Sequence, residues 1–551
     1  MNVILVLDVG SSSVRCSAYQ IDENENDGTS TTSVEALDGC YAQLKIRSVQ
    51  PNSGKIILNG VKEDTGECYN LLDEIDGCIH KTLASLREHD FSSFQIVGLG
   101  FSTLVMNLIG VDKNGYVIGE EATISYACNS PEVAQKCRNL TSELGEERLE
   151  ELYQKTGAPL HSAYALAQLC ALYSNPDSTK DIWQWQTLAS LCLSRWLGVP
   201  SVPISFSEAS WTGLFNFRSC QWEQDALDFL PSKCREALPS LEDYCDFKEK
   251  IPEYLDSGKK NPYLEQWPEL NESCRLFLGL GDGACANIGS KCSTPNRIAV
   301  TVGTSAAARV CLPLPISRAN EPNDNGNHFK VPRGLFCYRI DKSHVLVGGA
   351  LTDGGSVIEW ARSLMNLKTD DAFQECMNEV KELINEEKDC PSLTFVPFLG
   401  GERSTGYRDG ASGCIMGLTR ETTPARFMQA CLESVMLRMK AILELVNKAI
   451  DERTDEKNDN PYIVVSGNAM EANEAWRQML ADASGMEVQF DADITEGTSR
   501  GVARMVAIVL DSQCRANEGP SYSLMAEENI SSPTVSSPRQ EAVRYWAAAT
   551  E

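Results

Sequence analysis

A strand–turn–strand pattern occurs twice in this chain, and an internal repeat constrains the architecture more strongly than any other sequence feature. The first copy is an apolar run from Val3 that enters the turn 10–13, Gly-Ser-Ser-Ser. The second copy is an apolar run from Ile298 that enters the turn 303–305, Gly-Thr-Ser. The repeat predicts two halves, each of which begins with a β-hairpin.

Both turns have the composition of a phosphate-binding turn, because a glycine turn beside hydroxyl residues exposes backbone N–H groups to an anion. We therefore predict that the nucleotide phosphates bind between two sets of residues: Gly10, Ser11, Ser12 and Ser13 in the first turn, and Gly303, Thr304 and Ser305 in the second. Arg15 follows the first turn, and the sequence allows it either to contact phosphate or to form a surface ion pair.

Only the first copy carries an acid before its turn. Asp8 occupies a place that Thr301 takes in the second copy. A single carboxylate beside a phosphate turn is typical of a Mg²⁺ site, in which water and phosphate oxygens supply the other ligands. We predict that Asp8 holds Mg²⁺; a structural acid at a strand end is the alternative.

A second acid stands alone between glycines, Gly281-Asp282-Gly283, before a run of small residues. Asp favours a helix N-terminus, so the run predicts a helix that begins there. A positioned carboxylate can accept a proton from an attacking hydroxyl group. Together with two phosphate turns, Asp282 predicts a phosphotransferase in which it is the general base; a helix cap is the alternative.

Strands alternate with helices along the chain, which indicates an α/β fold. Ligands in such folds bind at the carboxyl ends of strands. Ser102, Thr103 and Asn107 follow the strand 96–101 and are candidates for contacts with substrate hydroxyls, with turn and cap roles as the alternative. The segment Ser466-Gly467-Asn468 follows another strand and opens a helix, as nucleotide-binding turns do.

The bulk properties exclude several classes of function. The 551 residues fit two large domains. The net charge of −28 argues against nucleic acid or an anionic membrane as a partner. No apolar run reaches the roughly 18 residues of a membrane span, and no signal peptide precedes the first hairpin, so we expect a cytoplasmic protein. The 21 cysteines contain no C-x-x-C pair, which predicts structural thiols rather than a zinc site.

The order of these motifs, with Gly400-Gly401-Glu402-Arg403-Ser404 between the second hairpin and the Ser466–Asn468 turn, resembles the FGGY family of carbohydrate kinases, within the sugar kinase–actin–Hsp70 superfamily. The resemblance covers roughly residues 3–510. It implies an α/β fold of two ribonuclease H-like, actin-like ATPase domains with a cleft between them. We expect these domains at 1–290 and 291–513, followed by a mobile tail at 514–551 in which a short helix near Gln540–Ala548 is the exception.

The resemblance further implies an ATP- and Mg²⁺-dependent transfer of the γ-phosphate to a terminal hydroxyl of a small sugar, sugar acid or polyol. It places Tyr126 and His161 in the substrate site with Asp282, and Gly467, Asn468 and Asn473 at the adenosine. The wording of the motifs is most similar to the gluconate-kinase-like branch of the family. No macromolecular partner is implied, and a homodimer stays open.

Two positions depart from the family pattern. Cys128 stands where an acid is expected, and Ser130 stands where an arginine is expected. This departure keeps a pentulose (xylulose or ribulose) or glycerol-type kinase open as the alternative substrate class. It also motivates an alternative of another kind, a regulatory pseudokinase that binds ATP and sugar. Retention of both Asp8 and Asp282 favours an enzyme, since a binding protein has no need of a base and a metal ligand together.

Overall fold

The computed structural model describes residues 1–26, 29–50, 53–62, 64–89, 93–316, 329–386, 393–408, 410–452, 461–471, 473–490, 496–511 and 533–548. Residues 514–532 and 549–551 of the predicted tail lie outside the described residues.

The first half is built on a five-stranded sheet. Its strands are β1 (Asn2–Val9), β2 (Ser13–Asn26), β3 (Thr29–Lys45), β4 (Gln95–Thr103) and β5 (Arg275–Gly281). The strand order is β3-β2-β1-β4-β5, with β1, β2 and β3 antiparallel and with β4 and β5 parallel to β1. The run from Val3 to Leu7 in β1 is fully buried, as expected for a central strand covered on both faces.

The second half repeats this plan in a seven-stranded sheet. Its strands are β6 (Arg297–Val302), β7 (Ala306–Pro313), β8 (Phe336–Arg339), β9 (His344–Leu351), β10 (Tyr462–Ser466), β11 (Val488–Phe490) and β12 (Thr534–Ser536). The order is β8-β9-β7-β6-β10-β11-β12, with β6, β7 and β9 antiparallel and with β10 and β11 parallel to β6. The predicted internal repeat and fold class are therefore confirmed.

Sixteen helices surround the two sheets in the described part of the chain. They are α1 (Leu71–Glu88), α2 (Pro131–Thr156), α3 (Ala165–Leu172), α4 (Leu188–Leu197), α5 (Phe206–Ser210), α6 (Gln224–Leu227), α7 (Ser232–Glu236), α8 (Pro262–Gln266), α9 (Asp282–Gly289), α10 (Ser356–Leu364), α11 (Asp370–Glu386), α12 (Pro424–Asp451), α13 (Asn468–Glu471), α14 (Glu474–Ser484), α15 (Gly497–Leu510) and α16 (Gln540–Ala548). No described helix is long and apolar enough to cross a membrane.

Short elements complete the description. The minor strands are Asn59–Val61, Cys68–Asn70, Asn107–Val111, Thr123–Ser125, Gln184–Gln186, Ile204–Ser205, Phe215–Asn216, Gln221–Trp222, Leu241–Glu242, Thr394–Val396 and Cys414–Met416. Two 3₁₀ helices span Glu120–Ala122 and Pro176–Ser178.

Helix α15 belongs to the second half in sequence but packs on the sheet of the first half. Val502 and Val506 are fully buried in the same core as β1. Gly98 and Gly100 of β4 make room for them, because a Cβ atom there would lie 2.8 Å from Val506 and 2.7 Å from Val502. The predicted division at residue 290 follows chain order, whereas the packing assigns α15 to the first core.

The described residues near the end of the chain, 533–548, pack against the second half of the molecule. The sequence predicts a mobile tail from residue 514 with a short helix near Gln540–Ala548. The structure has that helix as α16 and adds the strand β12, which pairs with β11. Arg539 donates hydrogen bonds to the fully buried carboxylate of Asp482 at 2.9 and 2.6 Å, and Trp546 is buried in the second core. A paired buried acid and a buried indole explain why this segment has a fixed place.

Candidate active site

The first predicted phosphate turn joins β1 to β2. The Gly10 N–H donates to the Ser13 carbonyl at 2.9 Å, which closes the turn. The carbonyls of Ser11 and Ser12 accept hydrogen bonds from the backbone of segment 46–48 at 3.0 and 3.2 Å. Segment 46–48 thus fixes the backbone of the turn through hydrogen bonds, while Ser12 is exposed.

The second predicted phosphate turn joins β6 to β7 in the same way. The Gly303 N–H donates to the Ser305 carbonyl at 2.9 Å. The Thr304 carbonyl accepts hydrogen bonds from the N–H groups of Gly354 and Ser356 at 2.9 and 3.1 Å. All three residues of the second turn are exposed, and phosphate binding at the two turns stays a prediction.

Asp8 lies beside the first turn, where β1 pairs with Ser102 of β4 and with Arg15 of β2. Burial and the negative charge of Asp282 raise the pKa of Asp8 to about 7, and Arg15 opposes this effect. Two acids far apart in sequence therefore share one region. Their mutual repulsion would be relieved by a bound cation.

These acids fit a magnesium ion better than a metal held entirely by protein. Among the described residues, no group of three His, Cys, Asp or Glu side chains is arranged to hold a metal. Mg²⁺ is commonly held by one or two carboxylates, with water and phosphate oxygens completing its octahedron. Asp8 beside a phosphate turn offers that donor set.

Arg15 adopts the second of its two predicted roles. Its guanidinium forms an ion pair with Glu496 at 2.5 Å and donates to Gln43 at 2.8 Å. Glu496 directly precedes α15, so this ion pair ties the first hairpin to that helix. The guanidinium is committed to these partners in this structure.

Asp282 is the first residue of α9, as predicted, and follows directly on β5. Burial raises the pKa of its carboxyl group, while Arg309, the Gly283 N–H and Arg403 oppose the rise. Both arginines belong to the second half of the chain, Arg309 to β7 and Arg403 to the Gly-Glu-Arg-Ser loop. The carboxylate of Asp282 thus lies where the two halves meet.

Three predicted substrate ligands, Ser102, Thr103 and Asn107, are buried at or shortly after the end of β4. Thr103 donates its hydroxyl hydrogen to Glu208 at 3.2 Å. Asn107 donates to the Leu104 carbonyl at 2.7 Å and accepts from the Leu188 N–H at 2.6 Å. Ser102 is fully buried beside Asp8. Thr103 and Asn107 thus form hydrogen bonds within the protein, and contact of the three residues with substrate stays a prediction.

Tyr126 and His161, the other two predicted substrate ligands, have different settings. Tyr126 is half-buried and packs against the first core. His161 accepts the Ala163 N–H on Nδ1 at 3.1 Å, which places the proton of the neutral ring on Nε2. Its ring meets the edge of Tyr407, with centroids 5.9 Å apart. His161 therefore contacts the loop that carries Arg403 and Tyr407.

Sequence reasoning missed a cluster of aromatic and basic residues around Asp282. The hydroxyl groups of Tyr164 and Tyr338 are hydrogen-bonded to each other, and the charge of Arg403 acts on both tyrosines. Tyr407 shares a hydrogen bond of 3.0 Å with Ser404. Two signals were available in the sequence: Arg403 lies in a motif, and Arg309 interrupts the apolar run of β7.

The two positions that depart from the family pattern have surroundings of their own. Cys128 is buried with Val133, Cys137 and Ala167 in a small apolar cluster of its own. Gly54 packs directly against Cys128, since a Cβ at this glycine would lie 2.6 Å from the Cys128 nitrogen. Ser130 is the N-cap residue of α2.

The predicted adenosine segment adjoins the second phosphate turn. Gly467 has φ = +98°, and a Cβ there would lie 2.6 Å from the carbonyl oxygen of Val302, so only glycine fits. Asn468 begins α13, and Asn473 caps α14 by accepting the Trp476 N–H at 3.1 Å. The segment and the turn are thus in backbone contact.

Comparison with known proteins agrees with this arrangement. Residues 3–245 match the N-terminal domain, and residues 298–510 the C-terminal domain, of the FGGY family of carbohydrate kinases. A gluconokinase of Bacillus subtilis is 22% identical over 429 residues, which cover 74% of this chain and 73% of the relative.

Two solved kinase structures illustrate the similarity in fold. A gluconate kinase from Lactobacillus acidophilus superposes with a TM-score of 0.73 at 19% identity, covering 100% of this chain and 96% of the other. A Plasmodium falciparum glycerol kinase, solved with ADP, has a TM-score of 0.72 at 15% identity, with coverage of 100% and 97%.

Proposed function

The chain belongs to the FGGY family of carbohydrate kinases, and we propose that it transfers the γ-phosphate of ATP to a terminal hydroxyl of a small sugar, sugar acid or polyol. Enzymes of this family are phosphotransferases with an alcohol group as acceptor. The observation that carries the proposal is the position of Asp282: its carboxylate lies where the two halves meet, within the electrostatic reach of Asp8.

In the proposed reaction, Asp282 accepts the hydroxyl proton of the acceptor as its oxygen attacks the γ-phosphorus. The bond from the γ-phosphorus to the bridging oxygen breaks, and ADP leaves with that oxygen. Such a transfer needs mainly positioning and charge neutralisation from the protein. Arg309 and Arg403 oppose the effect of burial on Asp282, because both lower the pKa of its carboxyl group.

The nucleotide contacts follow from the two turns. The first turn, Gly10–Ser13, and the second turn, Gly303–Ser305, bracket the phosphates from opposite halves, and Gly467, Asn468 and Asn473 bind the adenosine. Asp8 would hold Mg²⁺, and the ion would supply positive charge to the phosphate oxygens. Backbone contact between Gly467 and Val302 supports a single nucleotide site across these segments.

The test is Mg²⁺-dependent ADP formation from ATP across a panel of sugar acids, ketoses, polyols and glycerol. We expect stimulation by at least one compound, and we expect Asp282→Asn to abolish it while ATP binding persists. Asp256→Asn, in an exposed loop, is the matched control and should behave as the native protein does.

One rival function has an observation in its favour. Cys128 and Ser130 take the places of an acid and an arginine, as in a protein that binds ATP and sugar without catalysis. ATP binding without stimulation by any compound in the panel would select this pseudokinase. Equal activity of the Asp282→Asn variant and the native protein would refute the role of the base instead.

A further inference from the structure

Glycines precede and follow Asp282, and one large side chain packs on both of them. A Cβ at Gly281 would lie 2.7 Å from Nε1 of Trp211, and a Cβ at Gly283 would lie 3.6 Å from Cζ2 of the same indole. Trp211 is buried in the first core. The close approach at Gly281 is possible because glycine has no Cβ. The indole therefore contacts the chain at both neighbours of Asp282.

The short helix α5, which directly precedes the indole, is hydrogen-bonded to β5. The Ser205 hydroxyl donates to the Gly279 carbonyl at 2.5 Å, and the Gly281 N–H donates to Ser207 Oγ at 3.1 Å. Trp211 is the residue that follows α5. Helix α5, the indole and the last residues of β5 therefore form one packed unit, and α9 begins where this unit ends.

The same indole also contacts the second half of the molecule. Its ring centroid lies 4.1 Å from that of Tyr338 and 5.7 Å from that of Phe336, and these two rings of β8 stack on each other at 4.5 Å. The Arg339 N–H donates to Ser210 Oγ at 2.9 Å, which joins β8 to α5 directly. Strand β8 pairs with β9, and β9 pairs with β7, which follows the second predicted phosphate turn. Trp211 thus lies between the start of α9 and the sheet that carries this turn.

These contacts bear on phosphoryl transfer because the groups that take part belong to different halves of the chain. In the proposed reaction, the base Asp282 belongs to the first half, whereas one of the two turns that bracket the phosphates belongs to the second. We propose that Trp211 is a positioning residue for Asp282: its indole fixes the backbone of residues 281–283 against β8 and so sets the place of the base relative to the second turn. Displacement of a reacting group by about 1 Å can lower a rate by roughly a hundredfold. This inference rests on the proposed kinase function.

The first test compares Trp211→Leu and Trp211→Phe in Mg²⁺-dependent ADP formation, with the acceptor that stimulates the native protein most. We expect Trp211→Leu to lower kcat by roughly tenfold to a hundredfold, because leucine leaves a gap between Gly281 and Tyr338. The KM values for ATP and for the acceptor should change by less than about threefold, because no proposed ligand contact is altered. Trp211→Phe keeps an aromatic ring at this place and should bring kcat back to within about fivefold of the native value.

Trp267→Leu is the matched control. Trp267 is fully buried in the same core, but its ring packs on Trp196 and Tyr263. This variant should lower the stability of the fold and leave kcat unchanged. Native kcat in Trp211→Leu, or an equal loss of kcat in Trp267→Leu, would overturn the inference, and so would a rise in KM without a fall in kcat.

Gly281→Ala tests the same contact from the other side, and it decides the inference if Trp211→Leu does not fold. The added Cβ displaces the indole, so kcat should fall. Combining Gly281→Ala with Trp211→Phe should restore part of the lost kcat, because the smaller ring leaves room for the Cβ. Native kcat in Gly281→Ala, or no restoration in the double variant, would overturn the inference.

Amide hydrogen exchange separates this inference from the kinase proposal, because it needs no activity. In Trp211→Leu and in Gly281→Ala, exchange in the segment 278–289 should be at least about tenfold faster than in the native protein, whereas Trp267→Leu should leave it unchanged. If no compound supports ADP formation, the kinase proposal fails, and exchange alone decides whether the indole fixes this segment. Native exchange rates in both variants would overturn the inference.

Discussion

Replacing Gly501 by alanine separates two opposite expectations. From the sequence, alanine within α15 should stabilise the helix by up to about 1 kcal/mol. In the structure, a Cβ at Gly501 would lie 2.6 Å from the carbonyl carbon of Cys285 and 2.9 Å from its Cα, both backbone atoms of α9. Backbone cannot rotate away as a side chain can, so the two helices must separate.

The magnitude follows from these two effects. Overpacking a close contact costs typically about 1–3 kcal/mol, and a contact between two backbones belongs at the upper end. After the gain in helix propensity, we expect Gly501→Ala to lower the free energy of unfolding by roughly 2 kcal/mol. Because α9 begins with Asp282, the same displacement should lower kcat by at least about tenfold.

Chemical denaturation followed by tryptophan fluorescence measures the stability, and ADP formation measures the activity. Gly77→Ala is the matched control, because Gly77 lies inside α1 with no atom within 4 Å of the added Cβ. It should raise the unfolding midpoint slightly and leave kcat unchanged. If Gly501→Ala raised the midpoint as Gly77→Ala does, the close approach of α9 and α15 would be refuted.

Three further predictions concern buried groups. Burial raises the pKa of Asp8 from 3.8 to about 7, so the free energy of unfolding falls as pH rises between these values. The Asp8→Asn variant should lack up to about 4 kcal/mol of this fall, which would be measured as a flatter pH dependence of unfolding. Mg²⁺ should reduce the fall in the native protein. Arg539→Ala should lower the free energy of unfolding by about 1–3 kcal/mol and expose the end of the chain to proteolysis, since Asp482 loses its ion-pair partner. An unchanged rate of cleavage would contradict this prediction. Cys128→Asp, which restores the acid of the family pattern, should lower stability by about 1–3 kcal/mol without raising kcat, because the side chain enters an apolar cluster; a gain in activity would show that position 128 reaches the substrate.

The features that the sequence predicted are local or periodic. Both hairpins, the start of α9 at Asp282 and the fold class depend on short runs of strand, turn and cap residues, which can be recognised without knowing what packs on them. Their order along the chain was enough to identify the family.

The features that the sequence could not predict depend on distant partners. The direction of Arg309 is set by Gly283 and Gly348, which come from other elements. The ion pair of Arg15 depends on Glu496, near the other end of the chain. The Asn107 amide oxygen accepts the N–H of Leu188, which is 81 positions away in the chain. Spacing along a sequence carries no information about such contacts.

The position of α15 has a consequence for synthesis on the ribosome. The core of the first sheet includes residues 502–509, so its apolar surface stays uncovered until nearly the whole chain has been made. The amino-terminal half therefore cannot complete its folding during translation of the first 290 residues. A fragment that ends there exposes the face of β4 on which α15 rests, and such a surface invites aggregation. For this protein, folding of the first half is completed by one of the last helices to be synthesised.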